Sequence, residues 1–358
     1  MAKTPDTTAR CLFVGPFPPP VHGQSVATQV IADQFAAAGI ALTRIDDSGS
    51  AAERLKSLGK TMRAIAFGND PLVYLSVNSN TGAAVTALLA WCAHRAGKRV
   101  MLHHHSYRFI GTPTSLMDKI ARWAGSEAVH IVNCPDMGAL LQGVYPSIRE
   151  VLPLSNIASV DASLQQLGPR TGPVAIGHMS NLTEAKGVGR VVDAAIALKA
   201  AGHDIRLEVA GPDSDPFAAA KVAEARAALG EAFHYHGPVY GEAKLAFFRA
   251  IDIFAFPSLY PTETQGIVNL EAMACGRPVV AFAQCCIPGD IGETGGVAVA
   301  KDADYTAALG AYVTAFAAER EQRGAMARAR FEALSAEYEA QIAGIIALAR
   351  DWAASGSR

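Results

Sequence analysis

Short apolar runs alternate with longer segments of helical spacing along most of the chain. In the first half, the apolar runs that predict strands lie at 11–15, 41–45, 72–77, 99–103, 128–132 and 150–153. The helices predicted between them lie at 24–38, 51–66, 82–96, 115–124 and 135–141. Because strands that alternate with helices form parallel sheets covered on both faces, the first half predicts a doubly wound α/β domain.

The second half repeats this alternation. Its predicted strands lie at 174–177, 206–211, 233–237, 251–256, 279–282 and 297–300. One predicted helix begins at 188, and the others span 263–275, 304–318, 320–334 and 337–354. A polar stretch with several glycines and prolines, 155–173, separates the halves and predicts a linker. The expected domains are therefore 1–165 and 166–335, followed by a terminal helix within 336–358.

Composition narrows the class of protein. The chain has 358 residues, half of them hydrophobic, and a formal net charge of −2, so two domains can each bury a core and no basic face for nucleic acid is indicated. The first ten residues lack the apolar segment of a secretory signal, and no apolar run reaches membrane-spanning length without charges or helix breakers. The six cysteines show no C-x-x-C metal spacing. We expect a globular cytoplasmic enzyme that does not bind nucleic acid.

The predicted helix at 51–66 carries basic residues beside apolar ones. These residues are Arg54, Lys56, Lys60 and Arg63 with Leu55, Leu58, Met62 and Ile65. One interpretation is a peripheral contact with anionic lipid at the inner face of the cell membrane. The other is a solvated helix face, which the small number of charges favours.

The predicted helix at 263–275 lies between two apolar strands and carries two glutamates. Thr262 and Gln265 fit a capping box that opens the helix, and Gly276 with the proline at 278 fits its end. Glu263 and Glu271 are eight positions apart, which places them roughly 80° apart around a regular helix and about 12 Å apart along it. Two carboxylates beside free N–H groups at a helix start suit a ligand with hydroxyls at both ends and an anion between, such as a nucleotide-sugar. The alternative is a pair of solvated glutamates.

The stretch from 257 to 281, P-S-L-Y-P-T-E-T-Q-G-I-V-N-L-E-A-M-A-C-G-R-P-V-V-A, resembles the carboxy-terminal signature of retaining GT-B glycosyltransferases, family four. The resemblance implies that Glu263 contacts the transferred sugar and that Glu271 holds the donor ribose. It also implies that the backbone at Thr264, Gln265 and Gly266 contacts sugar hydroxyls and phosphate. The family usually has Gly-Phe where this chain has Thr264 and Gln265, which bears on the choice of sugar.

A second motif, M-S-N-L-T-E-A-K-G at 179–187, precedes the helix that begins at 188. A lysine beside a glycine at a helix start can neutralise a diphosphate by its charge and through free N–H groups. The motif resembles the family's G-R-L-x-x-x-K-G, with Lys186 and Gly187 matching and Asn181 in place of the diphosphate-binding arginine. By the same resemblance, the loop around Val239 holds the nucleotide base.

The strand at 11–15 leads into a proline-rich loop, P-F-P-P-P-V-H-G, before the next helix. This loop lacks the G-x-G-x-x-G fingerprint, so a nicotinamide cofactor is disfavoured. It resembles the family's amino-terminal loop, which approaches the donor diphosphate and the acceptor, through Gly15, the prolines and Gly23. The alternative is a stiff proline turn without a ligand.

Three histidines end the predicted strand at 99–103. Successive side chains of a strand point to opposite faces, so His103, His104 and His105 cannot converge on one metal ion without a bend. The segment resembles the family's strand ending in His-x-His-Gly, whose last histidine faces the reacting sugar, which makes His105 the candidate; Ser106 replaces the glycine. His103 or His104 takes this role if the register differs by one residue, and a histidine with only structural bonds is the other alternative.

The resemblance implies the GT-B fold: two Rossmann-like domains facing across a cleft, with a C-terminal helix that crosses back to the N-terminal domain. It implies a retaining transferase that moves a sugar from a nucleoside diphosphate sugar to a hydroxyl of a saccharide or lipid-linked saccharide, in bacterial polysaccharide or glycolipid biosynthesis. We expect no metal and no cofactor, because a lysine and helix N-termini can stabilise the leaving diphosphate. Alternatives are a nucleotide-sugar epimerase or hydrolase on the same fold, a nicotinamide oxidoreductase and a non-catalytic sugar-binding protein.

Overall fold

The computed structural model describes residues 9–19, 23–78 and 82–354. The chain forms two compact units. Unit 1 comprises residues 1–159 and 337–358, and unit 2 comprises residues 160–336.

Unit 1 is built on a six-stranded parallel sheet in the order β2-β1-β3-β4-β5-β6. The strands are β1 Arg10–Gly15, β2 Ala41–Asp46, β3 Leu72–Val77, β4 Arg99–His104, β5 Val129–Val132 and β6 Glu150–Pro153. The helices are α1 Gly23–Ala37, α2 Ala51–Phe67, α3 Ala83–Arg95, α4 Arg108–Gly111, α5 Ser115–Trp123 and α6 Pro135–Val144. Every residue of β3 is buried, as expected of a strand with helices on both faces of its sheet.

An aromatic cluster fixes the centre of the unit 1 sheet. Phe13 stacks on Tyr74 with ring centroids 4.0 Å apart, and Phe35 packs edge-on against Phe13 at 5.9 Å. The Tyr74 hydroxyl lies 2.6 Å from Nδ1 of His103. The packing of β1, β3 and α1 therefore also holds the end of β4, where the histidines lie.

Unit 2 contains a second six-stranded parallel sheet, in the order β12-β11-β10-β7-β8-β9. Its strands are β7 Val174–Met179, β8 Ile205–Ala210, β9 Phe233–Tyr235, β10 Ile253–Phe256, β11 Val279–Phe282 and β12 Gly296–Val299. Its helices are α7 Val188–Ala200, α8 Pro216–Leu229, α9 Glu242–Ala250, α10 Ile267–Ala274, α11 Ile287–Ile291 and α12 Tyr305–Ala318. Short 3-10 helices lie at Asn156–Ser159, Ala162–Gln166 and Gly230–Ala232.

The strand orders identify where ligands can bind. In doubly wound sheets, ligands bind at the carboxyl ends of the strands where the strand order reverses direction. That point lies between β1 and β3 in unit 1 and between β7 and β10 in unit 2. The loops that follow β7 and β10 carry Lys186 and Glu263.

The last described element is one continuous helix, α13 Arg320–Ala354, where the sequence predicts two helices. The predicted break near Ser335 is wrong, because the Ser335 hydroxyl donates to the Phe331 carbonyl at 2.9 Å and so needs no interruption of the helix. The part from 337 onward belongs to unit 1, where the Tyr338 hydroxyl donates to Oε1 of Gln34 at 2.5 Å. Across the described ranges, no helix combines the length and apolar character needed to cross a bilayer.

Candidate active site

The segment between β10 and α10 differs from its predicted form. The sequence predicts that the helix opens at Glu263 with a capping box of Thr262 and Gln265, but α10 begins at Ile267. Gly266 adopts a left-handed φ of +65° and serves as the N-cap without a side-chain hydrogen bond. Since a helix cannot continue through a left-handed residue, the preceding residues form a turn and the predicted capping box is wrong.

The later start of α10 places the two glutamates on different elements. Glu263 lies in the turn before Gly266 and Glu271 lies on α10, so the spacing expected for one regular helix does not apply. Oε2 of Glu263 accepts a hydrogen bond from Nζ of Lys186 at 2.7 Å and one from the Ser258 hydroxyl at 3.4 Å. The two residues that the sequence motifs single out separately, Lys186 and Glu263, are therefore direct partners.

The loop after β7 holds Lys186 against the loop after β10. Gly187 has a φ of +93°, and a Cβ at this position would lie 2.4 Å from the Pro257 carbonyl oxygen. The Leu259 N–H donates to the Ala185 carbonyl at 2.8 Å. Only glycine permits this approach of the two backbones, which explains why glycine follows the lysine.

Two helices begin at this site with their first N–H groups uncapped by side chains. Gly187 precedes α7 and Gly266 precedes α10, and neither offers a side-chain acceptor. By contrast, Asp215 caps α8 and Asp304 caps α12 through their carboxylates. Free N–H groups and the helix dipole both favour an anion. Together with Lys186, these two helix starts form a site suited to phosphate.

Lys244 is a site residue that the sequence analysis missed. Its Nζ lies 2.8 Å from Oε1 of Glu271, whose side chain is only 6% exposed. Oε2 of Glu271 is buried and has no hydrogen-bond partner among the residues that the structure describes. Burial raises the pKa of Glu271, and the charge of Lys244 opposes this rise. No motif marks Lys244; only the pairing of α9 with α10 in space does.

Other predicted residues of unit 2 lie around this centre. Gln265 is buried and donates through Nε2 to Oδ1 of Asp290 at 3.2 Å, while the Thr264 carbonyl accepts from the Cys286 N–H at 3.0 Å. Asn181 is exposed in the loop between β7 and α7, and Val239 is buried between β9 and α9. Their roles in binding stay predictions.

Gln284 and His178 are further residues without a sequence signal. Nε2 of Gln284 donates to the carbonyl of Tyr260 at 2.8 Å and that of Glu263 at 3.3 Å, which fixes the turn that carries Glu263. His178 contacts the Ala255 carbonyl at 2.9 Å and so links the ends of β7 and β10. Burial lowers the pKa of His178 to about 4, so this link is uncharged at neutral pH.

In unit 1 the three histidines alternate as strand geometry requires. The rings of His103 and His105 lie on one face with centroids 3.9 Å apart. His104 contacts a different residue: its Nε2 lies 2.8 Å from Nδ1 of His130. His103 and His104 are buried and His105 is half-buried. Nε2 of His105 has no hydrogen-bond partner within the described ranges, and burial lowers the pKa of this imidazole to about 4. His105 is therefore neutral near pH 7 and can donate or accept a hydrogen bond.

A cavity of about 330 Å³ lies in unit 1 at the carboxyl ends of β1 to β3. Its polar lining includes Gln24, Asp47 and Asn78, and its apolar lining includes Leu58 and Leu89. Nδ2 of Asn78 donates to Oδ2 of Asp47 at 2.8 Å, and burial raises the pKa of Asp47. No sequence motif identified Asp47 or Asn78.

Two glycines predicted to bind the donor, Gly15 and Gly23, flank the loop between β1 and α1. Gly15 ends β1, and a Cβ there would lie 2.8 Å from Cβ of Ser76. Gly23 is the exposed first residue of α1. Residues 20–22 of the proline-rich loop lie outside the described residues. The roles of Gly15 and Gly23 toward a donor stay predictions.

The second half of the chain matches the sequence model of a known family. Residues 173–316 match the sequence model of the family described as glycosyl transferases group 1. The D-inositol 3-phosphate glycosyltransferase of Arthrobacter sp. (strain FB24) is 32% identical over 123 residues, which are 33% of this chain and 28% of that protein. The protein of the same name from Geodermatophilus obscurus is 36% identical over 126 residues, 34% of this chain and 27% of that protein. The matched region thus spans about a quarter of these curated relatives.

Solved structures share the fold over nearly the whole chain. Sucrose-phosphate synthase from Thermosynechococcus elongatus has a TM-score of 0.71 at 17% identity, covering 97% of this chain and 99% of that chain. Anabaena HepE, solved in complex with UDP, has a TM-score of 0.69 at 16% identity, covering 97% and 100%. The predicted GT-B fold class is confirmed, as is the resemblance of residues 173–316 to group 1 glycosyltransferases.

The Lys244–Glu271 pair generates a pH-dependent prediction. Replacing Lys244 by Met removes the positive charge that opposes the effect of burial, so the pKa of Glu271 should rise further. The pKa of Glu271 is higher in the folded protein than its ordinary value in the unfolded chain. The free energy of unfolding therefore falls as pH rises from the unfolded-state pKa to the folded-state pKa. Carbon-13 NMR titration of the glutamate carboxyls measures the shift.

The matched control is Lys221→Met, which removes a lysine of unit 2 that pairs with Asp193 and Glu224 instead. We expect this control to leave the Glu271 titration unchanged. An unchanged Glu271 titration in Lys244→Met would contradict the assigned coupling.

Proposed function

We propose that this protein is a retaining glycosyltransferase that moves a sugar from a nucleoside diphosphate sugar to an acceptor hydroxyl. The observation that carries the proposal is the Lys186–Glu263 pair at 2.7 Å, set between the uncapped starts of α7 and α10 at the strand-order reversal of unit 2. This arrangement offers positive potential for a diphosphate and a carboxylate for a sugar hydroxyl within one loop pair. The family match spans both residues.

The donor diphosphate would replace Glu263 as the partner of Lys186. A diphosphate at the starts of α7 and α10 competes with the Glu263 carboxylate for Nζ of Lys186, and charge-assisted bonds to phosphate are strong. Once released, the Glu263 carboxylate is available to a hydroxyl of the sugar. As the glycosidic bond breaks, negative charge grows on the leaving diphosphate, and Lys186 with the helix N–H groups stabilises it.

Glu271 would hold the ribose. Its Oε1 is held by Lys244 and its Oε2 has no hydrogen-bond partner within the described residues, so one oxygen is positioned and the other is available to a hydroxyl. Anabaena HepE has been solved with UDP and with UDP-glucose, so we take a uridine diphosphate sugar as the first donor to test.

We propose that transfer needs no metal ion. Lys186 and two helix N-termini supply the positive potential that a metal would otherwise provide. The chain contains two Asp-x-Asp triplets, at 213–215 and 302–304, a pattern that can bind a metal ion. In each triplet the second aspartate caps a helix through its carboxylate, which favours a structural role.

The cavity of unit 1 suits a saccharide or lipid-linked saccharide acceptor. Its lining combines hydrogen-bonding groups of Gln24, Asp47 and Asn78 with apolar surface of Leu58 and Leu89. Sugars likewise combine hydroxyl groups with C–H faces. We propose that the acceptor belongs to bacterial polysaccharide or glycolipid assembly.

The substitutions Lys186→Ala, Glu263→Ala and Glu271→Ala should each reduce transfer by about 10²-fold or more while leaving the fold intact, since lost transition-state stabilisation of this kind costs 10²–10³-fold. The measurement uses the nucleotide-sugar that most stabilises the wild-type protein against heat, with a panel of saccharide acceptors, and follows nucleoside diphosphate release and the product anomer.

Controls come from Lys199 and Asp204, an exposed ion pair elsewhere in unit 2, whose alanine variants should retain the wild-type rate. Wild-type turnover by all three site variants would refute the assignment. Free sugar of altered configuration, formed without an acceptor, would instead indicate an epimerase or hydrolase.

We also propose that α2 makes a peripheral contact with anionic lipid at the inner face of the cell membrane. Its buried side consists of Ser57, Thr61 and Ile65. Leu55, Met62 and Phe67 of the same helix are 70%, 38% and 83% exposed. Lys56, Lys60 and Arg63 are also exposed. Exposed apolar residues beside basic ones are typical of helices that lie on anionic lipid surfaces.

Sedimentation with lipid vesicles tests this contact. The wild-type protein should bind vesicles that contain phosphatidylglycerol and not vesicles of phosphatidylcholine alone, and Lys56→Glu/Arg63→Glu should abolish binding because it reverses the attraction. Arg226→Glu/Lys301→Glu changes two exposed residues of unit 2 by the same charge and should bind as the wild type does. Equal binding by both double variants would contradict the proposal.

A further inference from the structure

A cluster of arginines lies at the amino ends of the unit 2 strands, whereas the candidate active site lies at their carboxyl ends. Asp252 directly precedes β10 and Arg277 closely precedes β11, whereas Glu263 follows the carboxyl end of β10. Beside these amino ends is a cavity of about 270 Å³. The arginines that line it are Arg170, Arg277, Arg320 and Arg328.

Part of this cluster has a structural role. The stretch 167–173 has no helix or strand, and guanidinium groups donate to its carbonyls. Nη2 of Arg277 donates to the Gly168 carbonyl at 2.9 Å, and Nη2 of Arg320 donates to the Gly172 carbonyl at 2.7 Å. Carbonyl oxygens satisfy donors but carry no net charge, so these bonds do not neutralise the guanidinium groups.

Two carboxylates, Asp252 and Glu321, line the cavity with the four arginines, so positive charge exceeds negative charge there. Asp252, which is 1% exposed, serves both Arg170 at 2.9 Å and Arg320 at 3.1 Å. Arg277 is 4% exposed and forms no ion pair with any described residue. Burial lowers the pKa of Arg277, so the site disfavours its cation as it stands. A buried charge without a counterion is costly, and an anion in the adjoining cavity would relieve that cost.

From this charge surplus and the adjoining space we infer that the cavity binds a small anion bearing phosphate. Guanidinium groups match phosphate oxygens in a planar, two-pronged geometry. A second cavity of about 420 Å³ shares Gly168, Arg170 and Arg277 with the first and adds Arg249, which leaves room for an organic group attached to the phosphate. The inference is independent of the proposed function and concerns a separate site from that of the donor.

Two alanines on α13 provide a matched test that leaves the arginines in place. Ala325 and Ala329 are both exposed, and Ala325 lines the cavity while Ala329 does not. The substitution Ala325→Glu places a negative charge at the cavity, and Ala329→Glu places the same charge one helical turn away. Both are introduced into the full chain carrying Lys186→Ala, so that binding of phosphate at the donor site is weakened.

Isothermal titration calorimetry with inorganic pyrophosphate, at constant ionic strength, measures binding. We expect saturable binding at one site by Lys186→Ala and by Lys186→Ala/Ala329→Glu, and at least about tenfold weaker binding by Lys186→Ala/Ala325→Glu, which corresponds to about 1.4 kcal/mol. No binding by Lys186→Ala, or equal binding by the two glutamate variants, would overturn the proposal.

Parallel titrations with inorganic phosphate and glucose 6-phosphate distinguish the source of the anion. Tighter binding of glucose 6-phosphate supports a site for an organic phosphate, and tighter binding of inorganic phosphate or pyrophosphate supports a site for the free anion. Binding of each ligand should weaken in the Lys186→Ala/Ala325→Glu variant. If binding of a ligand does not weaken in this variant, that ligand does not bind in the cavity.

Discussion

The ion pair between Lys186 and Glu263 is the interaction on which the candidate active site depends. It joins the loops that follow β7 and β10, and it is held in place by the close approach of Gly187 to the Pro257 carbonyl. Both side chains are largely buried, with 20% and 12% of their surface exposed, so each charge needs a partner. Without a donor the two residues neutralise each other.

Under the proposed function, the site would exchange this partner for a ligand. A diphosphate carries more negative charge than one carboxylate, and at this site it would also meet the N–H groups at the starts of α7 and α10, which no side chain caps. Lys244 and Glu271 form a second pair of the same kind, with one carboxylate oxygen held and the other lacking a hydrogen-bond partner in the described part of the chain. The two ion pairs thus lie at the positions where, under the proposed function, a nucleotide-sugar would supply replacement partners.

Much of the fold follows from the sequence because it depends on local pattern. Strands such as β3 are continuous apolar runs, since helices cover both faces of the sheet, and the alternation of His103, His104 and His105 follows from strand geometry alone. The start of α10 was predicted wrongly because residues 262–265 have the composition of a first helical turn. They form a turn outside the helix instead, because Gly266 adopts a left-handed conformation. The continuous α13 was missed because a serine hydroxyl bonds back to its own helix.

The parts of the site that escaped prediction are those made by distant residues. Lys244 precedes its partner by 27 positions, and Asp47 precedes Asn78 by 31. No spacing rule connects such residues, because the parallel sheet brings together loops that are separated by whole helices. The arginine cluster around Arg277 likewise assembles from three separate segments.

A structure of the protein with bound uridine diphosphate tests the exchange of partners at Lys186 most directly. We expect Nζ of Lys186 to lie about 3 Å from a phosphate oxygen and beyond ion-pair distance from Oε2 of Glu263, with the N–H groups at the start of α10 directed at the same phosphate. A diphosphate bound elsewhere, with the pair between Lys186 and Glu263 still closed, would contradict this exchange.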